Sequence, residues 1–306
     1  MSTGVYAKTA GDLVRDALRD ASIVAAEIPV QVVDFQRGFN AMNDILVQWQ
    51  TQGTHLWTET EAFLPLNINQ QEYSLGVGGD HCFTSYVYAT TTAGYAAAAT
   101  AIAVNSTTGM TNGDFIGIEL SNGSRFWTAI LNVVDSLNLT LVAGLSSAAL
   151  SGATIYTYTT KIDRPLRIVS ARYAMTYADG EVPLTQWSRD EYFNQPVKSS
   201  QTSVNQWYFS PQLDQGKLRV WGVASKCTEV LRFTFVKPQY VAQDQSENVL
   251  IPVEWYLPLK WAVASELAVT YGLDSTRIQL IEMKASKSLA QALDNDEELA
   301  PFSVHP

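Results

Sequence analysis

Histidine and cysteine are scarce in this 306-residue chain, with three of the first and two of the second. A Ser/His/Asp or Cys/His site would have to use His55, His81 or His305, and none stands in a G-x-S-x-G elbow or beside a cysteine signature. His81 adjoins Cys82 in GGDHCF, but neighbours in extended chain point to opposite faces, which argues against a dyad. Cys82 and Cys227 match neither a metal-ligand spacing nor a disulfide framework and read as buried free thiols. Charge is thin as well. Only 16% of residues are charged, 20 basic against 30 acidic, giving a net charge of -10 with no basic run able to neutralise a row of phosphates. Ordinary nucleic-acid binding is thereby excluded. No uncharged apolar run approaches the roughly 20 residues of a membrane span. The charged stretch MSTGVYAKTAGDLVRDALRD lacks the apolar centre of a signal peptide, so a soluble product made inside the cell is expected.

Apolar residues are plentiful at 46%, enough for two domains or one large one with a real core and too many for global disorder. The pattern falls into three zones. Residues 1–55 read as a helical hairpin. Thr9 is a candidate N-cap before Leu13, Val14, Ala17, Leu18 and Ala21, and Pro29 suits the first turn of a second helix. Val32, Phe35, Phe39, Met42, Leu46 and Trp49 then recur at three and four until Gly53 offers a stop. Residues 56–252 read as β throughout, with no helix expected: strands in 56–85, an inserted module over 86–158 and a second half over 159–252. Asn122-Gly123 lies between two alternating runs and predicts a two-residue hairpin turn with both residues at positive φ. Helices return over 253–293, with Pro252 and Pro258 at their start and Tyr271-Gly272 as a stop. Asp274 or Ser275 then caps a helix whose stripe is Ile278, Ile281, Ala285, Leu289 and Ala292. Residues 294–306 read as an extended tail. The expected fold is α+β: a helical bundle from both chain ends with a large central antiparallel β region that includes an inserted small β-sandwich or barrel.

Few residues point to chemistry. Glu59 and Glu61 would share one face of a strand about 7 Å apart, the separation of an inverting glycosidase pair, but TETEAF alternates like a solvated edge. Gly76 to Asp80, GVGGD, lacks the Lys-Ser/Thr and the helix pattern that a phosphate cradle needs. Asp190-Glu191 is weaker still, because sequence neighbours diverge. Trp187, Tyr192, Phe193, Trp207, Tyr208, Phe209 and Trp221 gather in the second half of the β zone among Gln, Asn, Ser and Asp rather than basic residues. Core packing plus a subunit interface accounts for them better than nucleic-acid stacking. In the tail, Leu299, Pro301, Phe302 and Val304 follow the acidic run DNDEE and have no periodic face to join, so they read as anchors that order on a partner.

The N-terminal block TAGDLVRDALRDASIV with FNAMNDILVQWQTQGTHLW, and the later blocks RPLRIVSARY, VPLTQWSRDEYFNQP, QWYFSPQLDQGKLRVWGVAS, LRFTFVKP and IPVEWYLPLKWAVASELAVTYG, resemble the head-to-tail adaptor proteins of short-tailed bacteriophages. These are also called head-completion, packaged-DNA stabilisation or tail tubular A-like proteins. The resemblance covers nearly the whole chain except Tyr86 to Tyr158. It implies a structural virion protein of the neck, made in the host cytoplasm, that forms a ring of twelve subunits beneath the portal. The ring retains packaged DNA, and its helical bundle lines or surrounds a channel through which duplex passes without sequence-specific binding. A downstream tail or nozzle protein attaches below, and the segment of Leu299, Pro301, Phe302 and Val304 docks on the portal. No catalytic residue, cofactor, metal or membrane is implied. At -10 per chain, twelve copies would carry about -120 before counter-ions, and an acidic channel lets duplex slide without sticking. Two other classes stay open on the residues: a virion-associated peptidoglycan hydrolase using Glu59 and Glu61, and a tail accessory protein whose β module binds cell-surface glycan.

Overall fold

Thr9 stands in extended backbone, and its hydroxyl accepts a hydrogen bond from the Asp12 amide at 3.1 Å, which starts the first helix. The structure, a computed structural model, describes residues 7–25, 27–52, 58–176, 178, 180–238 and 241–295. Its helices are α1 (Ala10–Asp20), α2 (Val32–Gln52), α3 (Arg189–Phe193), α4 (Tyr256–Thr270) and α5 (Ser275–Asn295). The chain is mixed α+β with a large antiparallel β region, and it divides into two compact units, Met1–Thr58 with Gln239–Pro306, and Glu59–Pro238.

In the first unit α1, α2, α4 and α5 share one apolar core. Leu13, Val14 and Leu18 meet Met42, Leu46, Leu259, Val263, Leu267 and Ile281 there. The edge of Trp49 packs on Trp255 at 5.3 Å. Backbone ties the beginning of this unit to its later segment: the Ala10 amide donates to Glu247 O at 2.8 Å and the Gly11 amide to Gln245 O at 2.9 Å. Gly38 lets α1 and α2 approach, since a Cβ there would fall 2.5 Å from Val14 Cγ1. Pro29 does not sit in the first turn of α2. The first i to i-4 bond runs from the Phe35 amide to Gln31 O, so Pro29 and Val30 form an extended approach, and Val32 is turned out at 83% exposure. Gly272, at φ +61°, ends α4 as expected, and the Asp274 carboxylate accepts the Thr276 amide at the start of α5. Helix α5 runs on through Asp294 and Asn295. The acidic end does not stop it at Leu293.

The second unit holds three sheets. One orders β1 (Glu59–Pro65), β14 (Val230–Val236), β9 (Arg167–Ala174) and β10 (Val182–Pro183), and a second orders β11 (Thr185–Gln186), β12 (Gln206–Ser210), β13 (Gly216–Trp221) and β2 (Glu72–Leu75). Every pairing is antiparallel except β11 with β12. Ala62, Leu64, Tyr73, Leu218, Leu231 and Phe233 fill the core shared by these two sheets. The third sheet orders β3 (Val87–Thr90), β8 (Thr154–Tyr158), β5 (Phe115–Glu119), β6 (Arg125–Val133), β7 (Asn138–Leu141) and β4 (Ala101–Ala103). It curls until a bridge between Thr91 and Val104 joins its two edges, and Ala89, Ile102, Ile116, Ile130, Leu139 and Ile155 fill its inside.

The expected type of hairpin turn is corrected. Leu120 and Ser124 flank three loop residues, the Gly123 amide donates to Leu120 O at 2.9 Å, and Gly123 alone has positive φ, at +82°. That is a type I turn closed by a left-handed glycine, in which the Asn122 side chain accepts the Ser124 amide instead of supplying a second left-handed residue. The β zone also contains a helix, α3, which sequence reading omitted.

Candidate interaction surfaces

Along β12 the side chains alternate across the sheet. Trp207 lies in the core and Phe209 packs against it, while Tyr208 faces outward. Helix α3 brings two more rings to that outer face. Ser188 starts it through a capping box: the Glu191 amide donates to Ser188 Oγ at 3.3 Å, and the Ser188 amide donates to the Glu191 carboxylate at 2.7 Å. Those bonds hold the Glu191 carboxyl below the usual carboxylate range. One turn later Tyr192 and Phe193 lie 6.0 and 6.3 Å from the Tyr208 ring. The Arg219 guanidinium of β13 stands 5.4 Å from Phe193 and 5.9 Å from Tyr208, and Glu72 of β2 pairs with it at 2.6 Å. Trp187 and Trp221 form a second ring pair at 5.6 Å, with Trp221 Nε1 donating to Val197 O. Phe193 remains 48% exposed. The seven aromatics named from sequence therefore divide. Trp207 and Phe209 are core, Tyr192 is buried against Tyr208, and Trp187, Phe193, Tyr208 and Trp221 with Arg219 make a partly exposed ring-and-cation face.

The curled module meets the remainder of its unit through a second aromatic set. Phe63 leaves β1 on the face opposite Ala62 and Leu64 and packs with Phe83, Tyr156 and Tyr158. His81 lies flat on Trp127 at 3.9 Å with 5° between the planes, and its Nδ1 is 2.5 Å from Tyr158 Oη. Burial pushes the Tyr158 phenol up, so it stays protonated in this contact. Burial, then the nearby Lys161 ammonium, depresses the His81 pKa to about 3. His81 is thus a neutral packing residue and not half of a Cys/His pair. Beside it, buried Arg125 donates to Cys227 O at 2.8 Å, to Thr154 Oγ1 at 3.2 Å and to Gly117 O at 3.3 Å, with its guanidinium 4.5 Å from the Tyr156 ring. Sequence reading missed Arg125 and Arg219, since an arginine on a strand is silent until its long-range partners are known.

Glu59 and Glu61 lie on the edge strand β1, where Arg172 takes the Glu61 carboxylate and Glu181 joins Arg172 to Arg232. In GVGGD the Asp80 carboxylate accepts the Ser74 amide at 2.7 Å, and a Cβ on Gly79 would meet Ser74 O at 2.1 Å, so the glycines close a turn. Asp190 and Glu191 serve the first turn of α3. Cys82 and Cys227 are both buried and free, and burial pushes both thiols up. Leu299, Pro301, Phe302 and Val304 lie outside the described residues. No family model matches the chain, and no curated protein matches it. Among the described residues no His, Cys, Asp and Glu side chains gather in threes where they could hold a metal ion, and no helix is long and apolar enough to cross a membrane.

Proposed function

We propose that the chain is a structural adaptor of a phage neck: a helical bundle built by both chain ends, repeated in a ring of about twelve beneath a portal, with the β region and its inserted barrel-like module carried by each copy. The reading rests on the adaptor resemblance. The observation that carries it is the set of large apolar side chains left exposed on the helices: Val32 and Val33 on α2, Val47 further along it, Val269 on α4, and Leu280 and Met283 on α5. A helix whose second face is apolar needs another surface to cover it. The ring-and-cation face around Tyr208 and Arg219 supplies a further contact for a neighbour or for a tail component. Paired with Arg172 on an open strand edge, Glu61 lacks the dry pocket that a general acid of a hydrolase requires. A glycan platform on the module would need its tryptophan, Trp127, which is half-buried under His81.

Light scattering tests the proposal. The chain alone is expected to be a monomer, and with a phage portal protein to give a closed ring of high mass. A dimer of unchanged mass with and without portal rejects the ring.

A further inference from the structure

The first unit has a cleft of about 520 Å³ where α1 faces the beginning of α2, with an apolar floor and a polar rim of Gln36, Gln243 and Gln245. Val30, Val32, Phe35 and Phe39 line it, Arg15 and Arg19 stand over it, and exposed Ile28 and Val33 adjoin Pro29 and Val32 in sequence. Arg15 is engaged by Asp12 at 2.7 Å and by Gly11 O. Arg19 has no ion-pair partner among the described residues, so its charge over the cleft is not neutralised by a neighbouring carboxylate. The one carboxylate of the lining, Asp244, accepts the Ser246 amide and hydroxyl. The cleft therefore asks for a short apolar segment that brings its own negative charge.

This chain contains such a segment. Beyond Asn295 come Asp296, Glu297 and Glu298, then Leu299, Pro301, Phe302 and Val304. Within one copy the register is wrong. Leu289 of α5 lines a groove with Trp49, toward the far end of α2 from the cleft, and from Trp49 back to Phe39 is ten residues of helix, about 15 Å. The acids follow α5 within three residues, too few to carry them along α2 to Arg19.

We propose that the cleft takes residues 296–306 of a second copy, with Glu297 and Glu298 at Arg19 and Phe302 among Val30, Phe35 and Phe39. Such a contact joins two different surfaces, so each copy has one cleft to fill and one segment to give, and the series closes as a ring if the rotation permits. This deepens the adaptor reading and rests on it for the ring. It gives the anchor residues a seat on the next subunit in place of the portal. One segment of this length is too small an interface to hold free copies together in dilute solution, so a dilute monomer is expected.

The test uses the full chain and a labelled peptide of residues 296–306, with no portal present, so its result and that of the portal experiment fail separately. Fluorescence anisotropy is expected to show saturable binding. Arg19→Glu and Val32→Asp, both surface changes checked by melting, are expected to weaken it about tenfold, and a peptide with lysine for both glutamates should bind Arg19→Glu better than wild type. In a mixture of Val32→Cys chains and Val304→Cys chains, oxidation should give a mixed disulfide dimer. Absence of peptide binding, binding indifferent to both variants, or a double cysteine variant that closes its bridge within one chain at high dilution would each overturn the assignment.

Discussion

Arg125 places a guanidinium where water cannot reach it, and four backbone and side-chain oxygens together with the Tyr156 ring replace most of the lost hydration, leaving Nε without a partner. Truncation to alanine leaves those oxygens unpaired and opens a cavity, so Arg125→Ala is expected to cost roughly 3 kcal/mol in urea unfolding. Arg125→Lys should recover only part, because one ammonium cannot reach acceptors on separate strands as a planar fork does. His81 gives a pH signature. Its folded pKa, about 3, lies below the ordinary 6.5, so between those values the unfolded chain takes a proton that the folded chain refuses. The stability it contributes is complete above pH 6.5 and is lost as pH falls toward 3. Over that window His81→Phe, which keeps a ring on Trp127, should show a shallower fall in melting temperature than wild type. Neither residue was legible in the sequence. The carbonyl that Arg125 reaches lies 102 positions away, and the stack of His81 on Trp127 joins two distant segments.

Helix α2 tests how far propensity governs an element. Gly38 sits in its interior, where alanine would ordinarily gain about 1 kcal/mol. A Cβ there meets Val14 of α1 at 2.5 Å, so Gly38→Ala should destabilise the chain in thermal melts, and Val14→Ala in the same chain should return part of the loss. Elements proved legible where the signal was local. The cap at Thr9, the stripe through Leu13, Ala17 and Leu18, and the stop at Gly272 are all decided within a few residues. They were misread where two local rules compete. Pro29 fits a first turn, but Gln31 starts the helix. Asn122-Gly123 fits a two-residue turn, but a third residue shifts the left-handed position onto glycine alone. Helix α3 was written in the sequence as Ser188 followed three residues later by Glu191, and its brevity hid it among strands.

At the scale of the molecule, the module spanning β3 to β8 has close ends, since Val87 lies opposite Thr157. A short Gly/Ser linker can therefore replace residues 86–158 without straining the flanks. The deletion strips cover from Phe63, Phe83 and Val230, each worth about 1.5 to 3 kcal/mol when buried. The expected product is folded but less stable, and it binds more of a hydrophobic dye than the full chain does. Adding Phe63→Thr and Phe83→Ser should return the dye signal to that of the full chain. An excess that survives both changes would locate the newly exposed surface elsewhere. The α+β class was legible from the alternation of zones, but the partnership of sheets was not. That β1 is buried on both faces can be read only as an apolar run, AFLPL, which is equally a buried helix turn or a parallel strand.

The pairing of β1 with β14 also sets an order of events during synthesis. Residues 59–65 leave the ribosome long before their partners at 230–236, carrying an apolar run with no ladder to join. Each β ladder of the curled module lies within residues 87–158, so it can close while the later strands are still unmade, and its Tyr156 and Tyr158 then offer Phe63 a surface. The backbone bonds of α1 form later still, because Ala10 and Gly11 donate to Glu247 and Gln245. A helix made before the β region is thus completed only after it, and until then the nascent chain carries part of α1 uncovered, a site open to misassociation.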